Sequence, residues 1–156
     1  MRIPLRLLLA IALALACTAP RAQEREVPGW FAESFLEFPQ DVKEAARDGK
    51  RLMLYFWQDG CPFCQRMKET TLADPGIVAA TRASFVAVAL NTFGERELQW
   101  TDGRTMREKE LARELGIRGT PTLVFLDERG AIILRRVGYV PGDSFRELLA
   151  KAAPPR

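Results

Sequence analysis

The 156-residue sequence contains no histidine. That absence removes Ser-His-Asp and Cys-His nucleophile pairs, imidazole metal ligands and the usual side-chain switch near neutral pH. Cysteine is scarce: three in the whole chain are too few for a small scaffold stapled by disulfides. Beyond residue 16 no apolar run approaches the roughly 20 residues needed to cross a bilayer. Neither sign of charge dominates, with 23 Lys and Arg against 20 Asp and Glu. What is present is ordinary globular material. At 47% hydrophobic and 28% charged residues the chain is not disordered throughout, and its length fits one domain with a proper core. The formal charge of +3 and the pI near 9.0 raise nucleic acid or an anionic membrane as partners, unless processing removes the excess.

The first segment reads as a targeting signal. Arg2 and Arg6 supply positive charge, and residues 7–16 form an uninterrupted apolar run, too short for a membrane span but fitting the core of a secretory signal. Small residues follow, and a cut after Ala22 leaves Gln23-Glu24-Arg25-Glu26 as a polar mature start. The rival cut precedes Cys17, where Ala14-Leu15-Ala16-Cys17 loosely resembles a bacterial lipoprotein signal and would put a lipid anchor on Cys17. The favoured reading discards Cys17 with residues 1–22, which also removes Arg2, Arg6 and Arg21 and no acid. The mature chain then carries 20 charges of each sign, so neither nucleic acid nor a basic membrane patch is expected. The chain is therefore expected to be exported, with no transmembrane segment in the mature chain.

Residues 23–49 read as a lead-in, with Trp30, Phe31, Phe35, Leu36 and Phe38 as packing anchors and a helix over 40–47 opened by Pro39. Residues 52–57 are a continuous apolar run of strand length, as in a strand buried on both faces. Gln58-Asp59-Gly60 then turns into a helix over about 61–70, and Asp74-Pro75 caps a second helical piece. Residues 85–90 form the next buried strand, parallel to the first by this spacing. Residues 92–104 are polar and turn-rich, with Asp102-Gly103 as a hairpin signal after Leu98-Gln99-Trp100. Trp100 is expected either exposed or packed beneath that hairpin. Thr105-Met106-Arg107-Glu108 reads as a capping box opening a helix to about 115, which Gly116 ends. Residues 122–126 and 131–137 should pair as a hairpin, before a terminal helix turning Phe145, Leu148 and Leu149 inward.

Chemistry concentrates in Cys61-Pro62-Phe63-Cys64, at a helix start after a buried strand. Residues i and i+3 of a first turn are neighbours, so the sulfurs can meet at disulfide distance. Unpaired N–H groups and the partial positive charge there favour a thiolate on Cys61, the nucleophilic form. Pro62 suits the first helical position, and Cys64 lies a turn inward, more buried and acting second. A purely structural bridge closing about four residues would contribute on the order of 2 kcal/mol, little for this domain. Half a zinc site lacks partners here, whereas a copper(I) carrier is chemically adequate. Further on, Gly119-Thr120-Pro121-Thr122 puts a proline at a strand's first position, where spacing alone favours a trans peptide.

Taken in order, Tyr55-Phe56-Trp57 leading to Cys61-Pro62-Phe63-Cys64, then 116–123 with Thr120-Pro121, then Val137-Gly138, the chain resembles the thioredoxin superfamily over roughly residues 50–150. The lead-in, the 92–104 insert and residues 108–122 are most similar to periplasmic thioredoxin-related proteins of the SoxW type. The resemblance implies an α/β thioredoxin fold, βαβ–αββα, with a central mixed sheet flanked by helices. To this are added the helical lead-in over 23–49 and a hairpin-like insert at about 92–104, with the thioredoxin-like domain over 50–151. It also assigns residues. Cys61 matches the attacking cysteine and Cys64 the resolving one. Pro121 matches the cis-proline facing the disulfide, Thr120 offers backbone groups to an extended bound chain, and Gly138 belongs to the adjacent substrate groove. Pro62 and Phe63 are expected to help bind the substrate, and Trp57 matches the tryptophan beneath the site, a supporting role shared with Asp59.

The departures bear on mechanism. Thioredoxin keeps a buried carboxylate where this chain has Tyr55, and its lysine partner where this chain has Ala89. Deprotonation of Cys64 is then left to water, the outgoing thiolate or Asp59. The Pro-Phe pair resembles glutaredoxins, but Gly138 is followed by Tyr139 instead of a second glycine, so glutathione is not expected as a partner. The function implied is reduction of partner-protein disulfides, fed by a membrane thiol carrier, because no His between the cysteines supplies the cation of a strong oxidant. An oxidase or isomerase with the same site, and a non-enzymatic chaperone or copper(I) module, are the alternatives. No cofactor and no resident metal is implied.

Overall fold

A computed structural model of the chain describes residues 27–155. The expected signal segment, both cut sites and Cys17 lie outside the described residues. The described elements run α1 (Phe38–Arg47), β1 (Arg51–Trp57), α2 (Pro62–Glu69), a 3-10 turn (Thr71–Ala73), α3 (Pro75–Ser84) and β2 (Phe85–Asn91). They continue with β3 (Glu97–Gln99), β4 (Thr105–Arg107), α4 (Glu108–Glu114), β5 (Thr122–Leu126), β6 (Ile132–Val137) and α5 (Gly142–Ala152).

The main sheet has the order β2-β1-β5-β6. β1 is parallel to β2, with Leu54 opposite Val88, and antiparallel to β5, with Leu54 opposite Val124. β5 pairs antiparallel with β6, so the sheet is mixed, as expected. Period-two alternation along β1 divides the core between the faces. Leu52, Leu54 and Phe56 pack with α1, α4 and the insert, while Met53 and Tyr55 pack with α2, α3, α5 and Phe31. A strand covered on both faces must be apolar at every interior position, which is why residues 52–57 lack alternation. At the start of α3 the Asp74 carboxylate accepts the Ile77 N–H at 2.8 Å, with Pro75 in the first turn.

Two expectations need correction. Phe35 is not an anchor: it is 95% exposed, while its neighbours Leu36 and Phe38 carry the packing. Residues 105–107 do not open a helix. They form β4 against β3, with Leu98 opposite Met106, and α4 starts at Glu108. Cross-strand pairing takes the segment that a local cap would have used, and the capping contact moves two residues on, where Glu110 Oε2 accepts the Arg107 N–H at 2.7 Å. On α5, Phe145 and Leu149 are buried and Leu148, partly buried, packs against the same core, so all three face inward as expected.

The insert is tied to the body. Trp100, 6% exposed, packs edge-on against Phe38 with ring centroids 5.4 Å apart. Gln99 N–H donates to Leu36 O at 2.9 Å. No helix among the described residues is long and apolar enough to cross a membrane.

Candidate active site

β1 ends at Trp57, and Asp59-Gly60 turns the chain into α2, with Gly60 at φ +67°. Cys61 is the residue before the helix, in extended conformation, and its Sγ accepts the Cys64 N–H at 3.1 Å. Pro62 fills the first helical position, where a missing N–H costs nothing. Cys61 and Cys64 form a disulfide with Cα atoms 5.2 Å apart. Cys61 is partly exposed, Cys64 is 7% exposed, and Pro62 and Phe63 stand out at the rim. A cleft of about 280 Å³ opens there, lined by Gln58, Gly60, Cys61, Pro62, Cys64 and Gln65.

The loop before β5 closes over Cys61 from the other side. The Thr120 hydroxyl donates to Cys61 Sγ at 3.3 Å, and Thr120 O lies 3.4 Å from the same sulfur, placed to accept from a thiol once the bridge is reduced. The Thr120–Pro121 peptide is cis, as the resemblance implied. Gly138 N–H donates to Pro121 O at 2.8 Å, pinning the end of β6 beside this loop. Gly138 has φ +88°, a conformation that L side chains rarely adopt, and a Cβ there would meet open space.

The other expected residues divide. Trp57 lies on the Tyr55 face of the sheet, partly buried against that core, and contacts neither sulfur by hydrogen bond. Its carbonyl takes the Thr92 N–H at 2.9 Å. Asp59 hydrogen-bonds elsewhere. Its carboxylate accepts from Asn91 Nδ2 at 3.3 Å and is hydrogen-bonded to neither cysteine. Tyr55 is 1% exposed, and burial pushes its phenol well above the ordinary value near 10. It is core, as read from the sequence.

Two supporting groups were not singled out as site residues. Asn91 bridges Asp59 to a buried anchor, because its N–H donates to Glu108 Oε1 at 3.0 Å and that oxygen also takes Arg96 at 2.6 Å. Glu108 is 1% exposed, and a side chain at Gly94 would overlap its carboxylate. Tyr139 hydrogen-bonds Thr70 at 3.1 Å while Arg66 stacks 4.5 Å from its ring centre, joining α2 to the segment after Gly138. The Thr70 bond, with Arg66 nearby, holds the Tyr139 phenol below its ordinary value. The i, i+4 spacing of Arg66 and Thr70 was the available signal, but their partner lies 69 residues from Thr70.

A thioredoxin-like domain model matches residues 38–153. The chain belongs to the thioredoxin-like family. A thioredoxin from Thermus thermophilus is 30% identical, with TM-score 0.58 over 74% of this chain and 82% of that one. The DsbD C-terminal domain of Neisseria meningitidis in its reduced form shares the fold, with TM-score 0.54, 20% identity and cover of 74% and 93%. A thiol:disulfide interchange protein DsbD from Photorhabdus laumondii is 28% identical over 102 residues, 64% of this chain but only 16% of that protein. Within this thioredoxin-like chain, the disulfide-forming pair sits at a helix N-terminus, opposite a cis-proline and beside an open groove. That arrangement can hold two electrons as a dithiol and release them as a disulfide.

Proposed function

We propose that this chain is a periplasmic thiol–disulfide oxidoreductase that reduces disulfides of partner proteins. The observation that carries this reading is the asymmetry of the pair. Cys61 is accessible and receives donors from Cys64 N–H and the Thr120 hydroxyl, whereas Cys64 is nearly buried. Both donors strengthen on a thiolate, so the reachable sulfur is also the one favoured to attack. The Cys61 thiolate attacks one sulfur of the partner disulfide, forming a mixed disulfide and expelling the other partner sulfur as thiolate. Cys64, losing its proton to solvent or to that thiolate, attacks Cys61 Sγ and expels the second partner sulfur. Two electrons pass to the partner, and the Cys61–Cys64 bond remains.

Thr120, Pro121 and Gly138 form the seat of the partner segment, with Pro62 and Phe63 on its rim. Reloading needs a dithiol donor, and a membrane thiol carrier fits a reductase in an oxidising compartment. The apolar run at residues 7–16 and the SoxW-type likeness support export with loss of residues 1–22. Two measurements test the reading. Equilibration against glutathione buffers should give a potential well below the −120 mV of a strong oxidant; a value near −120 mV rejects reduction. Cys64→Ser should accumulate mixed disulfides through Cys61, and Cys61→Ser should yield none. Insulin left unreduced with dithiol present removes the enzyme reading altogether.

A further inference from the structure

A second cleft shares a lining residue with the cleft at Cys61. A groove of about 280 Å³ lies between Gln58 and Thr120 on one side and α4 with the segment after it on the other. Gln58 lines both clefts, and Thr120 is the residue whose hydroxyl meets Cys61 Sγ. The groove thus adjoins the reactive sulfur, within reach of an extended segment seated over Cys61.

Its lining is one-sided in charge. Lys109, Arg113 and Arg118 line it, and no carboxylate does. The nearby acids are already engaged. Glu95 pairs with Lys109 and Arg107, Glu114 with Arg104, and Asp59 with Asn91, while Glu110 caps Arg107. Lys109 is thereby offset. Arg113 and Arg118 are exposed and make no ion pair or side-chain hydrogen bond among the described residues. Phe93, 71% exposed, forms an apolar wall, set outward by a turn in which its N–H donates to Asn91 Oδ1 at 2.9 Å.

We propose that this groove is a specificity subsite for acidic segments. It selects partners with Asp or Glu two to four residues from the cysteine that Cys61 attacks. This rests on the reading of Cys61 as the attacking thiol. The reach follows from chain geometry. Arg118 is two residues from Thr120, at most about 7 Å along the backbone, and an extended partner rises about 3.3 Å per residue with alternate side chains on one face. A guanidinium fork matches a carboxylate better than an ammonium does. Exposed pairs are individually weak, so two together should give roughly a fivefold preference.

The test uses disulfide peptides identical except for Asp, Asn or Lys at the second and third positions from the cysteine. The reduced protein should reduce the Asp peptide about fivefold faster than the Asn peptide, and the Lys peptide slowest. The preference should vanish near 1 M salt, where the Debye length is about 3 Å. In Arg113→Gln/Arg118→Gln the Asp peptide should fall to the Asn rate. Equal rates in the wild type, or a preference surviving the double substitution, overturn the subsite. Peptides with Ser for Cys, titrated by NMR, give a second readout: tighter binding of the Asp form supports the subsite, and equal binding rejects it. Should no disulfide peptide react, the redox reading falls and that titration still decides the groove.

Discussion

Where thioredoxin keeps a buried carboxylate, this chain has a phenol that burial holds in its neutral form, and the consequence is testable at one residue. Tyr55 is 1% exposed, its ring 5.6 Å from Phe31, with the phenol raised above its ordinary value. A group that keeps its proton through pH 6–9 cannot act as the base for Cys64, so Tyr55→Phe should leave the pH–rate profile of disulfide reduction within about twofold of wild type. The same shift fixes the sign of a stability effect. Above pH 10 the unfolded phenol ionises first and the folded one does not, so the unfolded state binds fewer protons and stability falls as pH rises. The wild type should lose up to about 1.4 kcal/mol per pH unit from this group as pH climbs from 10 towards the raised value. Urea unfolding at pH 8 and 10.5 should show that loss in the wild type and not in Tyr55→Phe. An altered rate profile in the variant would return Tyr55 to the mechanism.

The elements that read clearly from sequence carry their own local signal. β1 is an unbroken apolar run, α3 has Asp74 and Pro75 at its head, and the Cys61-Pro62-Phe63-Cys64 spacing announces a first helical turn. The misread elements are those decided by partners distant in sequence. β3 and β4 are three residues each, too short for periodicity, and only pairing with β3 distinguishes residues 105–107 from a helix cap. The cis state of Thr120–Pro121 came from resemblance, since spacing alone favours trans. The Asp59–Asn91–Glu108 chain was invisible because its links cross 32 and 17 residues. For the insert, burial decides between core and surface elaboration. With Trp100 6% exposed against Phe38, Trp100→Ala should cost about 3–5 kcal/mol, as for other large buried aromatics. A loss of unfolding free energy below about 0.5 kcal/mol, typical of surface changes, would make the hairpin a detachable ornament.

On the scale of the whole molecule, the family match begins at residue 38, but packing continues before it. Phe31 is 9% exposed in the core under α2, α3 and α5, and Trp30 Nε1 donates to Leu72 O at 2.9 Å. Ala32 N–H donates to Ala87 O at 2.8 Å on the outer edge of β2, which would otherwise present that carbonyl to solvent or to another strand. The lead-in thus covers a sheet edge and closes one of the two cores. A chain starting at residue 38 should therefore fold less stably than one starting at residue 23. The loss of one buried aromatic alone is worth about 3–5 kcal/mol, against a total of about 5–15 kcal/mol for an ordinary domain. Urea midpoints of the two forms measure this, and light scattering should show the shortened form associating through its uncovered edge. The disulfide site should survive wherever the shortened chain is folded, since the contacts that hold Cys61, Thr120, Pro121 and Gly138 together all lie after residue 38. Equal midpoints would mean that Phe31 and Trp30 rest on a core already complete without them.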